Sequence, residues 1–199
     1  MSKDDRPRIP PRPAPEEAGA DPRERIIRTA YELFTRHGLA AVGVDRIVAE
    51  ADVAKTTLYR HFRSKDDLIA EVLERHRQLW LRDWLEPKTL AGGDPPAERL
   101  LSIFDGLDIW CRDENFQGCL FINSLVEMHD RSSAAHRVSV AATEDVYVFL
   151  ERLATEANVR DPERLARQIH LLMRWAIVAS IEGRPEAVQE GRDAARQLI

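Results

Sequence analysis

Apolar positions recur three and four residues apart along most of the chain after residue 22, and no stretch alternates with the two-residue period of a strand. Asp21 as N-cap, Pro22 at N1 and Glu24 at N3 predict the start of a first helix, a capping box in which the proline's missing N–H costs nothing. Ile26, Ile27, Ala30, Tyr31, Leu33 and Phe34 share one face of it. Gly38 fits a left-handed stop, with Leu39 supplying the accompanying hydrophobic contact. Gly43 caps a short helix that buries Val44, Ile47, Val48 and Ala51. A three-residue break, Asp52-Val53-Ala54, leads to a helix from about Lys55 to His61, with Leu58 and Phe62 pointing inward. Ser64 caps a longer helix ending near Trp84, with Asp67 at N3 and a buried face of Leu68, Ile69, Val72, Leu73, His76, Leu79 and Trp80. Pro87 and the run Ala91-Gly92-Gly93-Asp94-Pro95-Pro96 predict a loop, with Asp94 and Pro95 restarting a helix. Further helices are expected at roughly 96–112, 119–129, 134–157, 162–182 and 186–198. Asn158 and Gly183 fit left-handed stops, and Asp161-Pro162 is another N-cap and N1 pair. The fold class is all-α, with about nine helices.

Composition removes several alternatives. The 199 residues hold two cysteines, too few for a disulfide framework, so a reducing cytoplasm is the expected compartment. No run approaches the roughly 20 apolar residues of a membrane-spanning helix, and the N-terminus lacks a signal-peptide core. Membrane association and secretion are therefore set aside. Residues 1–22 hold six of the eleven prolines and little that could be buried, and read as a disordered tail. The net charge of −5 hides an asymmetry: residues 23–65 carry nine basic against five acidic side chains, residues 66–199 sixteen against twenty-four. A basic N-terminal module on an acidic body suits a polyanion partner for the former.

Two helices of about two turns joined by a tight turn form a helix-turn-helix, whose second helix enters the DNA major groove. With Leu58 and Phe62 facing the core, Lys55, Thr56, Thr57, Tyr59, Arg60 and His61 remain outside. All can hydrogen-bond and none is acidic. Lys65 opposes the dipole of its own helix, but beside helix N–H groups it strengthens an anion site fit for a phosphate.

The stretch Arg25 to Ile69 closely resembles the DNA-binding domain of the tetracycline-repressor (TetR) family of bacterial transcription regulators. The most specific piece is TTLYRHFRSKDDL at residues 56–68. The chain departs from the family's usual pattern at Asp52, where Gly is common, at Ala54, where a capping Ser or Thr is common, and at Gly43, where a hydroxyl is common. The resemblance implies that Lys55, Thr56, Thr57, Tyr59 and Arg60 sit at the groove of a palindromic double-stranded operator, and that Tyr59, His61 and Lys65 contact phosphates. Arg60 has the planar fork that can read guanine, and Thr56 or Thr57 can touch a thymine methyl. The expected organisation is a Pro-rich tail over 1–20, a helix-turn-helix domain over 21–66, and a ligand-binding and dimerisation domain over 67–199. The helix from Lys65 is the lever joining the last two.

Residues 165–181 are apolar on nearly every face from Ile169 onward, which requires cover on more than one side. A second subunit is a natural cover, and the resemblance implies a homodimer through the last two helices. The candidates are Ile169, Leu172, Met173, Ala176, Ile177 and Ser180, with Val188, Gly191 and Ala195 on the final helix. The resemblance also implies an unidentified small-molecule effector in the body. Its candidate lining is Trp80, Trp84, Phe104, Trp110, Phe116, Cys119, Asn123, Glu127, Tyr147, Arg174 and Trp175, although each also fits plain packing.

Two other classes compete. A redox-responsive regulator could switch through Cys111 and Cys119. These stand roughly 12 Å apart if one helix is continuous, beyond disulfide reach, and come closer if Gly118 interrupts it. An enzyme with an incidental helix-turn-helix lacks support: the chain offers no Gly-rich phosphate loop, GxSxG elbow or paired-carboxylate motif. The histidines show no metal-ligand spacing, so no catalytic residues, metal or cofactor are expected. The reading is a ligand-responsive transcription regulator, most often a repressor in that family.

Overall fold

A computed structural model describes residues 21–199, so the expected disordered tail over 1–20 lies outside the described residues. Among the described residues the elements are helical: α1 (Pro22–His37), α2 (Val44–Glu50), α3 (Lys55–His61), α4 (Lys65–Arg77), a π-helical segment (Gln78–Leu85), α5 (Glu86–Leu90), α6 (Pro96–Cys111), α7 (Leu120–Glu127), α8 (Ala134–Glu156), α9 (Pro162–Ile181) and α10 (Ala187–Leu198). The single helix expected from Lys65 to near Trp84 is thus three segments without a break. Pro87, expected in a loop, lies instead at the second position of α5. In the π segment, residues four and five apart come into line, so Trp80 and Trp84 share a side with Leu81 and Leu85, and all four are buried.

Local caps explain several boundaries. The Ser64 hydroxyl accepts from the Asp67 N–H at 3.0 Å, and Asp161 accepts from Arg164 N–H at 3.1 Å. The capping box expected at α1 does not form. Asp21 accepts from Arg23 N–H at 3.4 Å, while the Glu24 carboxylate is taken by Arg75 at 3.0 Å. Asn158 (φ 54°) and Gly183 (φ 87°) end α8 and α9 as Schellman motifs. Val159 N–H reaches Ala154 C=O and Arg184 N–H reaches Ala179 C=O, each donating five residues back.

The chain divides into two compact units. The first runs to Gln78 and takes in Cys119–Thr143; the second joins Leu79–Gly118 with Glu144–Ile199. In the first, α1 buries Ile26, Ile27, Ala30, Tyr31, Leu33 and Phe34, together with Leu39, Ile47 and Leu58, and with Leu68, Ile69, Val72 and Leu73 of α4. Full burial of each large apolar side chain contributes about 1.5–3 kcal/mol, so this set outweighs the marginal stability of such short helices. In the second unit α6, α9 and α10 pack together. Gly191 of α10 is there because a Cβ would come within 3.2 Å of the Phe104 ring.

Candidate nucleic-acid interface

The turn between α2 and α3 is built from local bonds. Asp52 adopts φ 50°, and its neighbours complete a Schellman stop: Asp52 N–H to Ala49 C=O at 3.4 Å, and Val53 N–H to Val48 C=O at 3.1 Å. Arg25 on α1 fixes the same corner by donating from Nη2 to the Asp52 carbonyl at 3.1 Å. Ala54 offers no side-chain cap, as its residue type dictates, and Thr57 N–H bonds its carbonyl at 2.9 Å.

On α3, Leu58 and Phe62 are buried as the spacing requires. Lys55, Thr56, Tyr59 and Arg60 are exposed, and Thr57, His61 and Lys65 are half-buried. The sequence-named polar residues therefore gather along one short helix and the start of the next. Two of them have partners that spacing did not foretell. The Lys55 ammonium lies 2.6 Å from Asp45 on α2, and this carboxylate raises its pKa. Lys65 Nζ donates to the Ala40 carbonyl at 3.2 Å; partial burial lowers its pKa, opposed by the charge of Glu127. Arg23 also belongs to this unit, its guanidinium 5.5 Å over the Phe62 ring and 3.0 Å from Glu71.

A family model described as bacterial regulatory proteins, tetR family, matches residues 26–72, which take in α2 and α3 with most of α1 and the first part of α4. The chain's N-terminal module is that of the TetR family. The HTH-type transcriptional regulator YjdC of Escherichia coli K12 is 22% identical over 165 residues, which are 83% of this chain and 86% of that protein. The HTH-type transcriptional repressor NemR of Escherichia coli K12 is 27% identical over 113 residues, 56% of each chain. A TetR-family transcriptional regulator from Streptomyces coelicolor aligns with a TM-score of 0.79 and 28% identity, covering 87% of this chain and 93% of its own. The reduced form of Escherichia coli NemR shares the fold, at a TM-score of 0.77 and 20% identity over 89% of this chain and 96% of its own.

The residues expected around an effector fall in both units. Trp80, Trp84 and Trp110 are buried and, with half-buried Phe116, form a ring cluster with centroids 5.2–6.3 Å apart. Phe104 is fully buried against Gly191. Tyr147 lies 5.9 Å beneath the Arg167 guanidinium, Arg174 is half-buried, and Trp175 is 60% exposed, so these three do not join the ring cluster. Cys119, Asn123 and Glu127 fall in the other unit, where Glu127 bonds the loop before α2. Both cysteines are buried and neither is part of a disulfide. A cleft of about 300 Å³ in the second unit is lined by Leu81, Arg82, Glu86, Asp145, Val148, Phe149 and Arg152. None of these was named from the sequence, because their charged members sit on solvent faces that periodicity treats as inert.

The residues expected at a dimer interface lie mostly inside the protomer. Ile169, Met173, Ala176, Ile177, Ser180, Val188, Gly191 and Ala195 are buried within the protomer, and Leu172 is half-buried. What α9 leaves outside is Leu171, Trp175 and Ile181, 68%, 60% and 53% exposed. A helix apolar all round has two faces to cover, and periodicity does not say which one the chain's own helices take.

Proposed function

We propose that this TetR-family regulator is a cytoplasmic homodimer that binds a palindromic DNA operator and represses transcription until a small-molecule effector releases it. The observation that carries the reading is the division of α3: Leu58 is sealed in the core while Lys55, Thr56, Tyr59 and Arg60 face solvent as a run of hydrogen-bonding, non-acidic groups. Arg60 reads base edges, and Tyr59, His61 and Lys65 hold phosphates. Thr56 and Thr57 meet the groove floor, and Lys55 exchanges Asp45 for DNA or shares it. Two copies bring two recognition helices to half-sites about 34–36 Å apart. The exposed Leu171, Trp175 and Ile181 stripe of α9 supports self-association.

The effector acts by population shift, binding more tightly to a conformation whose recognition helices miss that spacing. The tryptophan cluster of Trp80, Trp84 and Trp110 supports an aromatic or apolar compound.

Selection of bound duplexes from a random DNA pool tests the reading. Enrichment of one palindrome with half-centres a helical turn apart is the expected result. Weak, salt-sensitive binding without enrichment would count against a simple repressor.

A further inference from the structure

Glu127 lies on α7, far along the chain from the recognition helix, yet its contacts are with the DNA-binding helices. Its Oε2 accepts from the Ala40 N–H at 2.7 Å, across 87 positions of sequence. Its carboxylate also closes over Gly38, whose Cα would place a Cβ 3.2 Å from Oε1. The Ala40 carbonyl in turn accepts from Lys65 Nζ at 3.2 Å. One residue of the loop between α1 and α2 is thus held by Glu127 through its N–H and holds Lys65 through its C=O. A second carboxylate ties the same segment down: Asp66, next to Lys65, accepts from the Ala134 and Ala135 N–H groups at 2.9 and 3.4 Å, capping α8.

An ammonium has three donors, so Lys65 can keep the Ala40 carbonyl and still donate to a phosphate oxygen. A lysine on a free four-carbon stem loses much rotamer freedom on binding; one already held loses less, and its phosphate bond is correspondingly stronger. A carboxylate bonding a backbone N–H is a charge-assisted bond, stronger than a neutral one, and well suited to fixing a loop that has no regular structure of its own.

We propose that Glu127 is a positioning residue for DNA binding, setting the place of the Lys65 ammonium through Ala40 so that it meets an operator phosphate. The proposal rests on the DNA-binding reading above and deepens it. It also moves Glu127 from the effector region to the machinery that holds the duplex, and makes α7 the point at which movement in Cys119–Thr143 reaches the DNA-contacting lysine.

The test uses the full-length protein and the palindrome recovered by selection, with binding measured over a range of salt concentrations and thermal unfolding recorded for each variant. Glu127→Leu is expected to lower operator affinity about tenfold and to reduce the salt slope by about one, as one phosphate contact is lost. Glu127→Gln, which keeps an acceptor for the Ala40 N–H, is expected to recover most of the affinity. Glu127→Asp, which keeps the charge but draws it back by one methylene, is expected to resemble Leu. Lys65→Met added to Glu127→Leu or Glu127→Asp is expected to cost nothing more. If Glu127→Leu and Glu127→Asp both bind like the parent, or if the Lys65 loss multiplies with theirs, the positioning role is overturned. Should Leu prevent folding, the Asp variant decides by itself. If Lys65→Met alone changes neither affinity nor slope, the assignment of Lys65 to phosphate fails first and the positioning role falls with it.

Discussion

At Arg60 the guanidinium is exposed on α3, whereas Lys65 is tethered at the next helix start, and the two are expected to fail differently. Arg60→Ala should cost about 1–3 kcal/mol on the preferred operator and little elsewhere, relaxing sequence preference. Lys65→Ala should weaken all duplexes alike and lower the salt slope by about one. Binding assays across operator variants separate them, and uniform loss in both would refute the division of roles. His76 poses a different question at the same scale. It is fully enclosed, its Nδ1 2.8 Å from the Tyr31 hydroxyl and its ring 4.9 Å from Phe121, and burial pushes its pKa down to about 3. His170 is pushed down to about 4 by burial and by Arg174. The unfolded chain takes up both protons below about pH 6.5. Their contribution to stability is therefore complete above that pH and lost as pH falls towards about 4 and then about 3. His76→Gln should reduce the slope of unfolding free energy against pH between 6 and 4 by about 1.4 kcal/mol per pH unit, measured by denaturant titration. An unchanged slope would mean the histidine is not held neutral.

Among the elements, what could be read in the sequence is what is decided within a few residues. Ser64, Asp161, Asn158, Gly183 and the Asp52 turn all act on backbone groups of their own helix end, and each appears at the expected position. Glu24 shows the limit. Its residue type fits a capping box, but Arg75 across the fold competes for the carboxylate and wins, as a charged donor outweighs a single neutral amide. The π segment at Gln78–Leu85 escaped for another reason: its bulky residues fit an α-helical period nearly as well, and only the packed tryptophans distinguish the two. At the end of α1, Gly38 adopts φ 82° and ψ 159°, not the left-handed helical geometry expected of a helix stop but a region that is essentially glycine's alone. With the Glu127 carboxylate against it, Gly38→Ala should destabilise by about 1–3 kcal/mol. At about 2–4 °C per kcal/mol for a chain of this size, a thermal melt should resolve the change. A melt unchanged from the parent would show that the loop relaxes freely.

For the whole molecule, the sequence conveyed the all-helical fold and the placement of α3, because both follow from which face of each helix is apolar. It did not convey the outer face of α9, since Leu171 and Trp175 look no different in a periodicity count from the buried Ile169 and Met173. If the outer stripe joins two copies, Leu171→Glu should yield monomers in sedimentation equilibrium and lose most operator affinity. Persistence of the dimer would exclude the stripe as the contact. Trp175 makes the same event visible by light. Of the four tryptophans, Trp80, Trp84 and Trp110 are 3%, 6% and 7% exposed against 60% for Trp175. A collisional quencher therefore reaches essentially one indole, whose long-wavelength emission should shift to the blue and become shielded as subunits pair on that face. The protein carries its own optical report of assembly, without any added dye.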